Sequence, residues 1–219
     1  MRAASIGVGI ATGLYGISFG ALSVTAGLSI WQTQVLSLLM FSGGSQFAFV
    51  GVLASGGLSA VPSAIISAWL LGVRNGFYAI RMAPIVGSKG WRLGVAAQLT
   101  IDESTAVALS RETPEHSKRG FWWTGVAVFV FWNSLTFVGA YAGKLIGSPE
   151  QYGLDAAAAA AFVGLVWPRL KSVFTSVAAI VALVVAVVTS IWLPAGIPVI
   201  VAGFVVVALV NIYFGKAKV

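Results

Sequence analysis

The chain has 219 residues, of which 58% are hydrophobic and only 9% charged, with mean hydropathy +0.96 and a net charge of +7. No water-soluble domain needs that much apolar surface, and the basic excess gathers between apolar segments, where it reads as orientation against an anionic leaflet and not as a nucleic-acid surface. There is no cysteine and one histidine, His116, in a charged connection, which removes disulfides, thiolate chemistry and Cys-based metal sites; no cofactor is expected.

Between Arg2 and Arg74 lie 71 residues without Asp, Glu, Lys or Arg. At about 1.5 Å per residue, and with about 20 residues needed to cross a bilayer, this run is long enough for about three spans. Further charge-free runs cover Gly120 to Gly143 and Ser172 to Gly215. The expectation is an all-α integral membrane protein, a single transmembrane domain over 1–219. The apolar pattern continues past the length of a signal peptide, so the first segment is read as a retained span.

Segment one, about Ser5 to Ala26, carries Gly9, Gly13, Gly16, Gly20 and Gly27 at spacings of four, three, four and seven, which puts them on one helix face. Such a face packs backbone to backbone against a neighbour, either within the chain or at a subunit interface. Segment two, about Thr33 to Ser55, is interrupted by Ser42-Gly43-Gly44-Ser45-Gln46. Glycine weakens a helix by roughly 1 kcal/mol relative to alanine, and lipid cannot satisfy the serine and glutamine groups. This is either a broken helix that binds the polar part of a substrate or a close-packed Gly/Ser crossing.

Gly56-Gly57 makes a turn, Pro62 opens segment three, and that segment ends in Trp69 to Arg81. Arg74 and Arg81 lie seven apart, on one side of a helix; Arg74 is the candidate buried cation, while Arg81 can snorkel to the interface. Leu93 to Leu109 is largely apolar yet holds Asp102 and Glu103, so it is a re-entrant helix lining a cavity, an interfacial helix, or an eighth span. Segment four, Phe121 to Ile146, opens on an aromatic belt and carries Asn133 in its middle. Segment five, Leu154 to Val166, is short; segments six, Val173 to Leu193, and seven, Ile197 to Phe214, are uniformly apolar scaffold.

The total is about seven spans, within a range of six to eight. Lys89, Arg92, Arg111, Lys118, Arg119, Arg169, Lys171, Lys216 and Lys218 favour the cytoplasmic side. Seven spans place the N-terminus outside; eight place both termini inside with Lys89 and Arg92 on the wrong side. A short echo joins Phe19-Gly20-Ala21 followed by Gly27-Leu28 to Val138-Gly139-Ala140 followed by Gly153-Leu154, the mark of an inverted repeat if the intervening span count is odd.

Together, Ser42 to Phe47, Gly72-Val73-Arg74-Asn75, Leu99-Thr100-Ile101-Asp102-Glu103 and Gly153-Leu154-Asp155 before Phe162 resemble the AzlC family of bacterial branched-chain amino-acid exporters, from about Gly13 to Pro198. That family carries a glycine-serine-glutamine motif in its second span, Asn-x-Arg-His in its third and Thr-Asp-Glu after it. Here Gly72 stands at the asparagine, Asn75 at the histidine, and Ile101 separates Thr100 from Asp102. The resemblance implies a large subunit in the inner membrane, working with a small AzlD-type partner to export valine, leucine, isoleucine and methionine on an ion gradient. The glycine face of segment one would suit that partner, and a homo-oligomer is a further expectation.

The candidate substrate contacts are Ser42, Gly43, Gly44, Ser45, Gln46, Arg74, Asn75 and Asn133, and the candidate ion-coupling residues are Asp102 and Glu103. The substrate carboxylate would meet Arg74 and the N–H groups around Gly43-Gly44, and its ammonium would meet Gln46, serine oxygens or Asp102. A channel, or an exporter for another small solute, is the alternative. Catalysis is not expected, because no serine has a histidine partner; with no ATP motif, export implies coupling to the proton or sodium gradient.

Overall fold

The computed structural model describes residues 2–146, 163, 167, 170–194 and 196–215. Segment five apart from Val163, the Gly153-Leu154-Asp155 motif, Arg169, Lys216 and Lys218 lie outside the described residues. Those described form helices and turns with no strand: α1 Arg2–Thr25, α2 Ile30–Leu39, α3 Gly44–Gly56, α4 Val61–Val86, α5 Trp91–Gln98, α6 Asp102–Leu109, α7 Pro114–Ile146, α8 Val173–Thr189 and α9 Ile197–Gly215. Among the described residues, three stretches are long and apolar enough to cross a membrane: Arg2–Thr25, Gly44–Val86 and Pro114–Leu145. Val173–Thr189 and Ile197–Tyr213 are shorter apolar helices.

The frame is the pair α1 and α7. Ser5 meets Thr124, Gly9 meets Ala127, Gly13 meets Phe131, Gly16 meets Trp132 and Ala21 meets Gly143, so contact positions rise together and the helices run parallel. A Cβ on Gly9 would sit 2.9 Å from the Ala127 backbone, one on Gly13 2.8 Å from Phe131, and one on Gly16 2.8 Å from the Trp132 carbonyl. Gly20 and Gly139 are closer still, each facing backbone of the other helix. The glycine face expected to suit a partner subunit is therefore filled by α7; backbone contact at this range leaves no room for a second occupant. The sequence echo also lands here. Because its two helices run in the same direction, they are not an inverted pair.

Segment two is two helices. Met40 to Gly43 interrupt it, with Gly43 at φ 52°, a region that only glycine enters readily. α2 runs against α7, with Trp31 beside Phe137, Gln34 bonded to the Asn133 carbonyl and Phe41 on Phe129. α3 then pairs antiparallel with α4: Gly44 faces Leu71 and Arg74, Ser45 faces Gly72, and Val52 clusters with Ala60 and Ala64. α4 does not stop near Arg81 but continues through Pro84 to Val86, where Gly87 caps it in the left-handed region.

The turn after α4 lies beside the start of α7, since Gly87 to Arg92 share a cleft with Lys118 and Trp122. α4 thus runs opposite to α1 and α7, and the α2/α3 pair goes inward and returns to the end it entered from. The stretch 91–109 does the same from the other end. α5 advances alongside α7 until Leu99 packs on Gly125, and α6 turns back until Val107 packs on Gly120. Each of its halves has eight residues, about 12 Å of helix, too short to cross. Two opposed units result: α1 with the broken α2/α3, and α4 with the broken α5/α6.

This arrangement removes a conflict in the charge pattern. The Arg2 guanidinium lies 4.6 Å from the centre of the Trp123 ring, so the N-terminal residues share an end with Lys89, Arg92, Lys118 and Arg119. The seven-span reading put the N-terminus on the side opposite Lys89; the two share an end because segment two turns back at its break and is not a crossing.

Gly20→Leu is expected to abolish folded protein or cost about 2 kcal/mol or more, the range of core overpacking, whereas Gly7→Leu, where an added Cβ meets nothing within 4 Å, should leave thermal unfolding in detergent nearly unchanged.

Candidate functional site

A helix that ends inside a membrane leaves carbonyls at its C-terminal end and N–H groups at its N-terminal end that lipid cannot satisfy. At the α2/α3 break the sequence supplies the partners. The Gly43 N–H donates to Gln46 Oε1 at 3.1 Å, and the Ser42 and Ser45 hydroxyls bond each other at 3.0 Å. The Ser42 carbonyl accepts from Arg74 Nη2 at 3.4 Å. A Cβ at Gly44 would sit 3.0 Å from Arg74 Nη2, so this glycine is what lets the guanidinium reach the break.

The second break is organised by Ser104. Its Oγ accepts from the Ile101 N–H at 3.1 Å and donates to the Leu99 carbonyl at 2.6 Å, capping α6. Asp102 and Glu103 occupy the first turn of α6, where the helix dipole favours negative charge. Asp102 Oδ2 lies 3.3 Å from Arg74 Nη1, both side chains about one-quarter exposed. Arg74 therefore joins the two breaks. Removing one partner of so sheltered a pair leaves a charge stranded, which is costlier than the pair is stabilising.

A third tie is a residue the sequence reading missed. Gln98, last in α5, donates through Nε2 to the Leu38 carbonyl at 2.8 Å, with Leu39 O at 3.5 Å, and so satisfies the C-terminal end of α2. The signal was present, since Gln98 is a lone amide in an apolar stretch, but its partner is 60 residues away in sequence.

Of the expected contact residues, the structure gathers Ser42, Gly43, Gly44, Ser45, Gln46, Arg74 and Asp102. Gln46 is fully buried, and because its Oε1 is taken by Gly43, its unpaired atom is the donor Nε2. That atom suits a carboxylate, not the ammonium first expected there. Asn75 follows Arg74 on α4, and its Oδ1 is a buried acceptor with no hydrogen bond. Glu103 is half-buried beside Asp102. Asn133 is spent differently: its amide donates to Phe129 O at 2.8 Å within α7, and its backbone carbonyl accepts from Gln34, leaving Oδ1 unpaired.

An aromatic wall completes the surroundings. Phe47 stands edge-on to Phe19 and Trp132, and Trp132 lies 3.9 Å from where a Gly43 Cβ would be. Trp132 Nε1 is buried without a partner, a further free donor. The ensemble thus offers a cation, unpaired donors, a carboxylate, free carbonyl lone pairs and an apolar face within one small region. Among the described residues no group of three or more His, Cys, Asp or Glu could hold a metal ion.

Comparison with curated proteins found no match, and comparison with solved structures found none either. The family described as AzlC protein matches residues 7–146, a range that contains both broken helices, Arg74 and the α1/α7 frame. With nearly two-thirds of its length matched, and with the glycine-serine-glutamine break, the arginine and the Asp-Glu pair meeting in space, the chain belongs to the AzlC family.

Proposed function

We propose that the chain is a secondary transporter that exports branched-chain amino acids, valine, leucine and isoleucine, with methionine as a further substrate, across the bacterial inner membrane on an ion gradient. The observation that carries this reading is Arg74, held between the Ser42 carbonyl of one broken helix and Asp102 of the other. Membership of a family associated with branched-chain amino-acid export supports it.

The charges of the site match a zwitterion. Arg74, Gln46 Nε2 and the N-terminal end of α3 present donors and positive potential to a carboxylate. Asp102, Asn75 Oδ1 and the carbonyls ending α2 present acceptors to an ammonium. An aliphatic side chain would lie on Phe47 and Trp132, which is apolar surface without a charge to satisfy. Asp102 and Glu103, in the first turn of α6, are the proposed ion-coupling residues. A small AzlD-type subunit remains the proposed partner, docking on a surface other than the glycine face of α1, and a homo-oligomer remains part of the proposal.

The positive-inside rule assigns the end bearing Arg2, Lys89, Arg92, Arg111, Lys118 and Arg119 to the cytoplasm. Since the chain has no cysteine, single cysteines report this cleanly. Ala3→Cys and Ser88→Cys should react with an impermeant thiol reagent from the same side, the cytoplasmic one, and Leu58→Cys from the opposite side. Labelling of Ala3→Cys and Ser88→Cys from opposite sides would restore three full crossings before Lys89.

The transport reading is tested by efflux of preloaded labelled leucine, valine, isoleucine and methionine from vesicles, with the small partner co-expressed. Wild-type efflux should saturate and follow the gradient. Arg74→Gln should lower it by roughly thirtyfold, the equivalent of the ~2 kcal/mol that a charge-assisted hydrogen bond supplies, with Arg74→Lys intermediate. Wild-type rates in Arg74→Gln would remove the arginine from the binding site, and absence of efflux for all four substrates would overturn the substrate assignment.

A further inference from the structure

Away from the broken helices, the turn joining α4 to α5 and the first turns of α7 enclose a cleft of about 520 Å³. Its walls carry Lys89, Arg92 and Lys118 together with Trp91, Trp122 and Val95, and no lining residue is acidic. The nearest acid along α7, Glu115, is occupied by Arg119 at 2.6 Å. The cleft lies at the end of the long apolar helices where Arg2 also sits, the level at which tryptophans and basic side chains meet lipid headgroups.

We propose that this cleft holds the phosphate-bearing headgroup of an anionic phospholipid from the leaflet that meets this end of the molecule. Three cations with no acid among the lining residues form a site that a neutral headgroup does not complement. Arg92 lies 5.7 Å from the centre of the Trp91 ring, a cation–π contact that holds its guanidinium near the cleft, where it can bind phosphate through two parallel N–H groups. α5 begins at Trp91, so its first-turn N–H groups add to the positive potential. Trp91, Trp122 and the exposed Leu93 offer the apolar surface along which acyl chains run. The lipid would brace the α4/α5 turn against α7, and hence the base of the α5/α6 pair that carries Asp102. This inference is independent of what the protein transports.

The test is native mass spectrometry of the full chain in detergent, titrated with phosphatidylglycerol and with phosphatidylcholine of identical acyl chains. Phosphatidylglycerol should bind preferentially. The Lys89→Gln, Arg92→Gln, Lys118→Gln triple variant should lose about tenfold or more of that preference, given roughly fivefold for each basic residue near an anionic surface. A control triple, Arg2→Gln, Arg111→Gln, Arg119→Gln, removes the same charge from the same end outside the cleft and should keep most of it. Arg92→Gln alone should show a partial loss, which keeps the test open if the cleft triple does not fold. Equal binding of the two lipids, or equal loss in both triples, would overturn the proposal. So would displacement of the lipid by millimolar inorganic phosphate, which would mark a free-phosphate site.

Discussion

A helix cannot stop inside a membrane unless something meets its unpaired backbone groups, and in this protein the Arg74 guanidinium does so for one break while pairing with the first turn of the other. The remaining features of the centre follow from that requirement. A Cβ on Gly44 would sit 3.0 Å from Arg74 Nη2, so the glycine lets the guanidinium approach the break without shifting. Gln46 folds back on Gly43, and Gln98 reaches across to the last carbonyls of α2. Two short helix pairs, one from each end, are thereby held tip to tip.

Such a centre needs a frame that does not yield, and α1 with α7 supplies it. Parallel helices whose glycines meet the opposite backbone have almost no freedom to slide, because every small shift brings backbone into backbone. α2 leans on this frame through Trp31 and Gln34, and α6 through Val107 and Gly120. The polar tips are therefore mounted on rigid apolar supports. The contrast between packed glycine and hydrogen-bonded tips sets where the molecule can move.

Much of the centre was legible in the chain. Ser42 to Gln46 was legible as either a broken helix or a close-packed crossing, because two glycines and three hydrogen-bonding side chains do not face lipid, and Arg74 and Asp102 stood out as charges in apolar surroundings. What could not be read was where the chain goes after a break. Whether α3 continues across or returns is decided by its pairing with α4, a contact between Gly44 and Arg74 that no periodicity encodes. The same blindness led segment two to be counted as a span and put Arg2 and Lys89 on opposite sides. The glycine stripe of α1 was legible as a packing face, but not its occupant, because small residues specify closeness and not identity. Gln98 was overlooked since its partner is a backbone carbonyl, which leaves no mark in composition.

The most direct test of this account is a double-mutant cycle on thermal unfolding of the detergent-solubilised protein, with Arg74→Gln, Asp102→Asn and the two combined. If Arg74 and Asp102 join the two broken helices, each single variant is destabilised, and the double variant loses less than the sum by a coupling of about 1–3 kcal/mol. Additive losses, with no coupling, would contradict the central claim that one ion pair holds the two helix breaks together.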